Sequence, residues 1–466
     1  MQTIRKTVGS LWGQTLLLAG VFVAYHFWLQ WLMVSTGLKL GAVSQRLAPL
    51  YAYWRPHYKT GLLLAAAGMT GVVVWLMRRG LKEQTGRRPW WMGLVLVHWC
   101  LVPLVVCIDG KPLERLAEPY SKSDLEYIGA VPLVTTPGEF MAEYPRRLAE
   151  MPMHAQTHPP GAVLILWLVD RTLGPGPLTA AWFTILFSGL SIPAVFLLAR
   201  RVTPESRLAT VFYILAPNVI LFTATSMEAV FAVPLIWSYC CFWQARFRRP
   251  LLWGAACGLC AAAAGLMTFS MAVLPLWGLL VWLLTAWLDR PRWKNTTLAL
   301  VMSATVFVWF YVLLQWTTGY NILTMLNAAI GNHQQIMAGM NHHSWWQHGN
   351  LSLANLAVFL FSVGLPICLL WGRSLWQAGA VRHHQPDFAV FAWSGGLCLL
   401  LLAAAPLYTL EVERIWIFLV PLLAIPAAHT LQGWENSAST CRTLQSAFIL
   451  LAMQTLLTEM LLTTYW

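Results

Sequence analysis

The stretch DGKPLERLAEPYSKSDLEY at 109–127 gathers acids and bases in a chain where charged residue types make up only 10% of the composition. Three of its carboxylates, Asp109, Asp124 and Glu126, could take a proton from a hydroxyl, which is general-base work. Tyr127 follows at once and can position such a base. Farther on, His154 and His158 are proton donors in reach of the same chemistry, and Arg146 and Arg147 supply cations. Near the C-terminal end, LEVERIWIFLVPLL carries Glu411, Glu413 and Arg414. A guanidinium suits a phosphate because its planar fork can donate two parallel hydrogen bonds. The two glutamates either orient that Arg or meet hydroxyl groups. Carboxylates and a guanidinium are therefore both available, far apart in sequence.

The elements that must position them are membrane helices. Hydrophobic residues are 58% of the 466, and mean hydropathy is +0.60. A soluble domain is roughly 45–50% apolar. Runs of about 20 apolar residues, each able to cross about 30 Å of hydrocarbon, recur along the chain. The expected fold is an all-α polytopic membrane protein with about 13 transmembrane helices, near 11–34, 60–77, 89–108, 178–199, 206–223, 228–244, 251–268, 271–288, 296–315, 351–371, 386–405, 413–430 and 444–463. The net charge of +12 does not signal nucleic acid, because Lys and Arg sit in short connections between apolar runs rather than on one face. Arg5 and Lys6 precede a retained first span, with no small-residue cleavage site after it.

Every second connection is basic: Arg78 to Arg88, Arg200 to Arg207, Arg246 to Arg249, Arg290 to Lys294, Arg373 with Arg382, and Arg442. Loops of that kind face the cytoplasm. This puts the N-terminus inside and the C-terminus outside, with 36–58 as the one basic exception. The polar chemistry then falls on the outer face, in a loop covering 109–177, in 317–350 and in 405–414. Within the first loop, 138–151 reads as a short helix broken at Pro145, which lacks an amide hydrogen. His-Pro-Pro-Gly at 158–161 opens a segment too short to span, and both are expected to lie along the interface. The spans hold few ionisable groups. Glu459 reads as isolated, and Gly364 with Pro366 reads as an ordinary feature of a membrane helix. A transporter would keep charge at the bilayer midplane. That reading, a multi-pass lipid or polysaccharide transporter or flippase, is the alternative; a structural subunit of an envelope assembly is a third.

Nine cysteines lie mostly in apolar runs, and the Cys257–Cys260 CxxC reads as helix packing rather than metal or redox chemistry. Asn341, His342, His343, Trp345, Trp346 and His348 lack a nearby carboxylate or Cys, and read as sugar stacking or a lid rather than a metal site.

Asp124-x-x-Tyr127 in a first large outer loop, followed by interfacial helices and the turn His158-Pro159-Pro160, resembles the GT-C glycosyltransferases. The most similar branch includes the protein O-mannosyltransferases and the aminoarabinose transferase of lipid A. Glu411-x-x-Arg414 before a late helix is similar to an acidic-plus-Arg element of many bacterial members. The resemblance covers the topology from about residue 89 onward. It makes 89–466 a catalytic domain and leaves 1–88 as two helices of unknown role. The resemblance makes Asp124 the general base; the acidic motif departs from the family's commoner adjacent pair, and so Glu126 and Asp109 stand as its rivals. The resemblance implies a sugar moved from a polyprenyl-phosphate donor to an acceptor hydroxyl on a glycan, lipid or protein, with inversion. Arg414 would hold the lipid phosphate. Members of that superfamily include some that use a divalent ion, which keeps Mg or Mn open as a cofactor. The implied location is a bacterial plasma membrane.

Overall fold

The computed structural model describes residues 10–40, 47–82, 90–339, 344–405, 407–409, 411–433 and 436–463. In chain order the helices are α1 (Leu11–Thr36), α2 (Thr60–Lys82), α3 (Trp90–Val106), α4 (Pro112–Ala117), α5 (Pro137–Glu143), α6 (Gly161–Leu173) and α7 (Pro177–Ser188). Then come α8 (Ser191–Ala199), α9 (Ser206–Leu215), α10 (Pro217–Thr223), α11 (Glu228–Ala245), α12 (Pro250–Gly265), α13 (Val273–Leu288) and α14 (Arg290–Thr318). The last are α15 (Ile322–Gly339), α16 (Trp345–Val363), α17 (Leu365–Val381), α18 (Pro386–Ala404), α19 (Val412–Ile415), α20 (Val420–His429) and α21 (Ala438–Leu461). The β-structure among the described residues is one short antiparallel pairing, β1 (Tyr53–Trp54) with β2 (Leu462–Thr463).

The protein is an all-α, multi-pass membrane protein. Among the described residues, six segments are long and apolar enough to cross a bilayer: Leu11–Thr36, Pro177–Ala199, Phe269–Leu288, Arg290–Thr318, Pro386–Ala404 and Ala438–Leu461. Two bent helix pairs raise the number to eight if each is one span. The sequence pattern led to about thirteen. Several expected spans form helices near or below the lower limit of about 17 residues for crossing. The run at 89–108 yields the 17 residues of α3, and the run at 251–268 yields the 16 of α12.

Two compact units divide the chain. The first comprises Met1–Pro112, Ile192–Thr223 and His343–Tyr465; the second comprises Leu113–Ser191 and Ala224–His342.

In the first unit the expected span 351–371 is cut in two. Gly364 has φ 111°, a conformation that side chains with a Cβ rarely adopt, and α16 and α17 meet there at a bend of 108°. A Cβ at this position would also lie 2.4 Å from Leu451 Cδ2 and 3.1 Å from Pro217 Cδ. Pro217 itself marks the second bend, 52° between α9 and α10. The two bends thus abut, and Gly364 is no ordinary membrane-helix glycine. The backbone groups freed at the first break are satisfied by one side chain on α21. Gln454 Nε2 donates to Phe361 O at 2.6 Å, and Gln454 Oε1 accepts from Leu365 N at 3.0 Å. Gln454→Leu keeps the volume and removes both bonds. We expect it to lower stability by about 1–3 kcal/mol, read as a lower midpoint in detergent thermal unfolding.

Glu459 is not isolated. It is fully buried on α21, with Oε1 3.7 Å from His57 Nε2. The chain before α2 lies along the end of α21, where Arg55 N donates to Leu461 O and His57 N to Met460 O.

In the second unit α12 is wedged between α11 and α14. Cβ atoms at Gly254 and Gly258 would lie 2.9 Å from Ala299 O and 2.5 Å from Ser303 O. Small residues at this four-residue spacing let the two backbones touch. The segment expected as an open outer loop at 317–350 also contains a helix. Gly319, at φ 77°, ends α14, and Asn321 Oδ1 accepts from Leu323 N and Thr324 N to start α15. Tyr320, Met325 and Ala329 are its buried side, and Asn332 Nδ2 donates to Gln156 O at 3.1 Å. Burial raises the pKa of the Tyr320 phenol, which therefore stays protonated.

Candidate active site in the 113–161 segment

Asp109 closes the turn after α3. Its Oδ1 accepts from Lys111 N at 3.0 Å, and Gly110 follows with φ 83°. It belongs to the first unit, whereas Asp124 and Glu126 belong to the second.

In the second unit the segment is pinned at Tyr120, a buried residue whose hydroxyl lies 2.7 Å from Thr184 Oγ1 on α7. Lys122 O then accepts the amides of Leu125 (3.0 Å) and Glu126 (2.8 Å), a tight turn with Ser123 and Asp124 exposed. The returning chain holds that turn from the other side: Met153 N donates to Asp124 O at 3.2 Å and His154 N to Leu125 O at 3.0 Å. Gly129 is what allows the close return, since a Cβ there would sit 1.7 Å from Ser123 O. Asp124 is therefore fixed by its backbone while its side chain points outward. Among the described residues no hydrogen bond or ion pair engages its carboxylate.

Glu126 is placed differently. It is 5% exposed, and its Oε1 lies 3.1 Å from His154 Nδ1. Tyr127 is buried beside this pair, with its ring centroid 6.1 Å from that of His154, 5.6 Å from His158 and 6.0 Å from Phe231 on α11. His158 Nδ1 donates to His154 O at 3.0 Å. The Pro-Pro-Gly turn that follows docks on the end of α12. Gly161 N donates to Leu266 O at 2.6 Å, and a Cβ on Gly161 would meet that oxygen at 2.3 Å.

The helix expected over 138–151 is broken as Pro145 demands, into α5 and two short turns of 3₁₀ helix, Tyr144–Arg146 and Leu148–Glu150. Tyr144 is fully buried and its hydroxyl donates to Ala155 O at 2.9 Å. Burial, with Tyr320 nearby, raises that phenol's pKa and keeps it a donor. Arg147 pairs with Glu150 at 2.9 Å, and Arg146 is exposed. α6 spans 13 residues, too few to cross a bilayer.

A buried acid on α11 escaped the sequence reading. Glu228 opens α11, is 7% exposed and accepts from the Ser226 hydroxyl. Phe231, which touches Tyr127 and His158, stands one turn later on the same helix face. The signal available was an acid heading an apolar run, TSMEAVFAV, which reads equally as a loop end.

In the first unit Glu411 has φ 66° and its Oε2 accepts from Arg414 Nη2 at 2.6 Å. Glu413 turns the other way: its Oε1 accepts from Tyr51 N at 3.0 Å, and its backbone oxygen accepts from Asn218 Nδ2 at 3.1 Å. It borders a cavity of about 20 Å³, room for one water, whose wall includes Tyr51, Pro217, Asn218, Phe361 and Gln454. Asn341, His342 and His343 lie outside the described residues, as do Arg5, Lys6, Arg46, Arg87 and Arg88. His348 is engaged by Ala404 O at 2.9 Å.

The described residues show no ready-made site for a Mg or Mn ion. No group of three or more His, Cys, Asp and Glu side chains among them is arranged to hold one. Asp124 stands alone at its turn, and Glu126 is committed to His154. No protein-family model matches the chain, and a search of the curated proteins finds no match either.

Proposed function

We propose that the protein is a membrane glycosyltransferase of the GT-C kind, acting at the outer face of a bacterial plasma membrane with its N-terminus in the cytoplasm. It moves a sugar from a polyprenyl-phosphate donor to a hydroxyl of a glycan, lipid or protein acceptor. The acceptor oxygen bonds to the anomeric carbon as the bond to the lipid phosphate breaks, with inversion, and the hydroxyl proton passes to Asp124. The observation that carries the reading is the outward carboxylate of Asp124 on a turn locked from both sides. A base held in one place needs little reorganisation to meet its proton. Glu126 is a weaker candidate because the proton-accepting oxygens are buried against His154, and Asp109 because it caps its own turn. Arg414 takes the phosphate, its guanidinium oriented by Glu411.

The test is reconstitution of the full chain in liposomes with labelled mannosyl, glucosyl and arabinosyl polyprenyl phosphates and a membrane glycolipid extract as acceptor. Released polyprenyl phosphate with labelled acceptor is the expected result. Donor that stays intact in every case removes the proposal. Arg414→Lys keeps the charge and loses the fork. We expect the donor KM to rise about tenfold with kcat nearly unchanged, equivalent to one charge-assisted hydrogen bond of roughly 1.4 kcal/mol.

A second reading, a lipid or polysaccharide transporter or flippase, draws on a specific feature. The bent pairs α9–α10 and α16–α17 abut beside the buried Glu413. Broken helices around a buried polar group are the pattern of transport sites. Movement of an intact lipid-linked sugar across the liposome bilayer, with no bond cleaved, would favour it.

A further inference from the structure

Six cations and one carboxylate lie in two connections of the second unit: Arg246, Arg248 and Arg249 between α11 and α12, and Asp289, Arg290, Arg292 and Lys294 where α13 passes into α14. The fold brings the two connections together. Arg246 Nη2 donates to Asp289 Oδ2 at 3.1 Å, and Asn295 Nδ2 donates to Arg246 O at 3.2 Å. Arg292 Nη1 donates to the same Asp289 oxygen at 2.8 Å, and its guanidinium lies 4.9 Å from the Phe247 ring. One carboxylate is thus shared by two guanidiniums. The other four cations, Arg248, Arg249, Arg290 and Lys294, are exposed, and among the described residues no hydrogen bond or ion pair engages their side chains. Local structure does not call for all of them. Arg249 and Arg290 stand at the N-termini of α12 and α14, where the helix dipole favours acids, and neither helix has an acid in its first turn.

Apolar surface adjoins these cations. Leu251 and Leu252 are exposed in the first turn of α12, Trp287 in the last turn of α13 and Trp293 in the first turn of α14. The Trp293 ring lies 5.7 Å from that of Trp282, whose Nε1 donates to Thr297 Oγ1 at 2.9 Å. Phe269–Leu288 and Arg290–Thr318 are each long and apolar enough to cross a bilayer. Two crossing helices turn at the water–lipid boundary, where Trp is favoured. A topology signal needs Lys and Arg in such a connection. It does not need them gathered from two connections beside exposed Leu and Trp. Cations next to apolar surface at a bilayer boundary fit an amphiphile with an anionic head. We propose that this end of the second unit binds an anionic phospholipid, its phosphate held by Arg248, Arg249, Arg290 and Lys294 and its acyl chains lying along Leu251, Leu252 and Trp287. Arg suits that phosphate because its N–H groups donate in pairs. The bound lipid ties the two connections together from outside, as Arg246 and Asp289 do from within.

The full-length protein in phosphatidylcholine nanodiscs receives a trace of diazirine-bearing phosphatidylglycerol or, in parallel, diazirine-bearing phosphatidylcholine. After irradiation and digestion, mass spectrometry maps the adducts. The anionic probe should label the peptides holding 247–255 and 283–294 at least about tenfold more than the zwitterionic one, since each cation near a lipid headgroup contributes roughly a factor of five. About 1 M NaCl should weaken the labelling, because exposed charges are screened. Arg248→Gln combined with Arg290→Gln should reduce labelling by the anionic probe about 25-fold, the product of two such factors. Equal labelling by the two probes would overturn the proposal, and so would adducts of the anionic probe concentrated elsewhere in the chain. Suppression by soluble glycerol phosphate would also overturn it, by assigning the cluster to a free phosphate. The wild-type map decides the question even if the double variant fails to fold.

Discussion

Asp124→Asn should lower sugar transfer about 10²- to 10⁴-fold, the usual contribution of a general base, and leave the fold intact. The two halves of that expectation come from one geometry. The side chain is exposed and the backbone makes the turn, through Lys122 O, Met153 N and His154 N, so removing a charge disturbs no packing. Surface changes of this kind stay within about 0.5 kcal/mol. Asp124→Glu keeps a carboxylate but moves it by one methylene, and should retain a small part of the rate. Glu126→Gln gives the opposite signature. It breaks a buried pair with His154, so it should lower the unfolding midpoint, with transfer falling only as folded protein is lost. Initial rates per folded molecule separate the two. A base at Asp124 is untenable if Asp124→Asn transfers at the wild-type rate, or if Glu126→Gln is fully folded and dead.

The sequence made the membrane class legible because bilayer insertion depends on composition summed over about 20 residues, which any window detects. The break at Pro145 was legible for a similar reason: it follows from one missing amide hydrogen. What stayed hidden depends on partners distant in sequence. His154 meets Glu126 across a reversal of the chain, and His57 meets Glu459 from the other end of the protein. Neither has a local signature. Gly364 was hidden in another way. Its φ of 111° is set by the packing of Leu451 and Pro217, and hydropathy reads straight through it. The same blindness left α15 as loop, since its polar Asn, His and Gln residues mask a buried stripe at Met325 and Ala329. Of the site itself, the sequence could point to a loop rich in carboxylates. Which carboxylate faces outward was decided by the fold.

Asp289→Leu should be among the most damaging single changes in the second unit, costing about 3–5 kcal/mol. Arg246, at the end of α11, is fully buried and stacks 4.0 Å over the Trp243 ring, and its Nη2 donates to Asp289 Oδ2 at 3.1 Å. Asp289, 4% exposed, sits between α13 and α14 and also accepts from Arg292 Nη1 at 2.8 Å. The two cations differ in what they lose. Arg292 is 34% exposed along its side chain and keeps access to water, so Arg292→Ala should cost no more than about 1 kcal/mol. Arg246 has no such outlet, and removing Asp289 leaves its guanidinium buried without this carboxylate. Replacing both partners, Arg246→Met with Asp289→Leu, removes the stranded charge and should recover most of the loss. Thermal unfolding in detergent of the two single variants and the double variant measures this coupling. Equal loss in the single and double variants would mean that the pair contributes only through packing. The consequence reaches the candidate site, because α11 is one continuous helix of 18 residues, about 27 Å long, with this clamp at one end and Glu228 and Phe231 at the other. A helix released at its clamp no longer holds Phe231 against Tyr127 and His158. Asp289→Leu should therefore lower transfer per folded molecule as well as the amount folded, whereas the double variant should restore both.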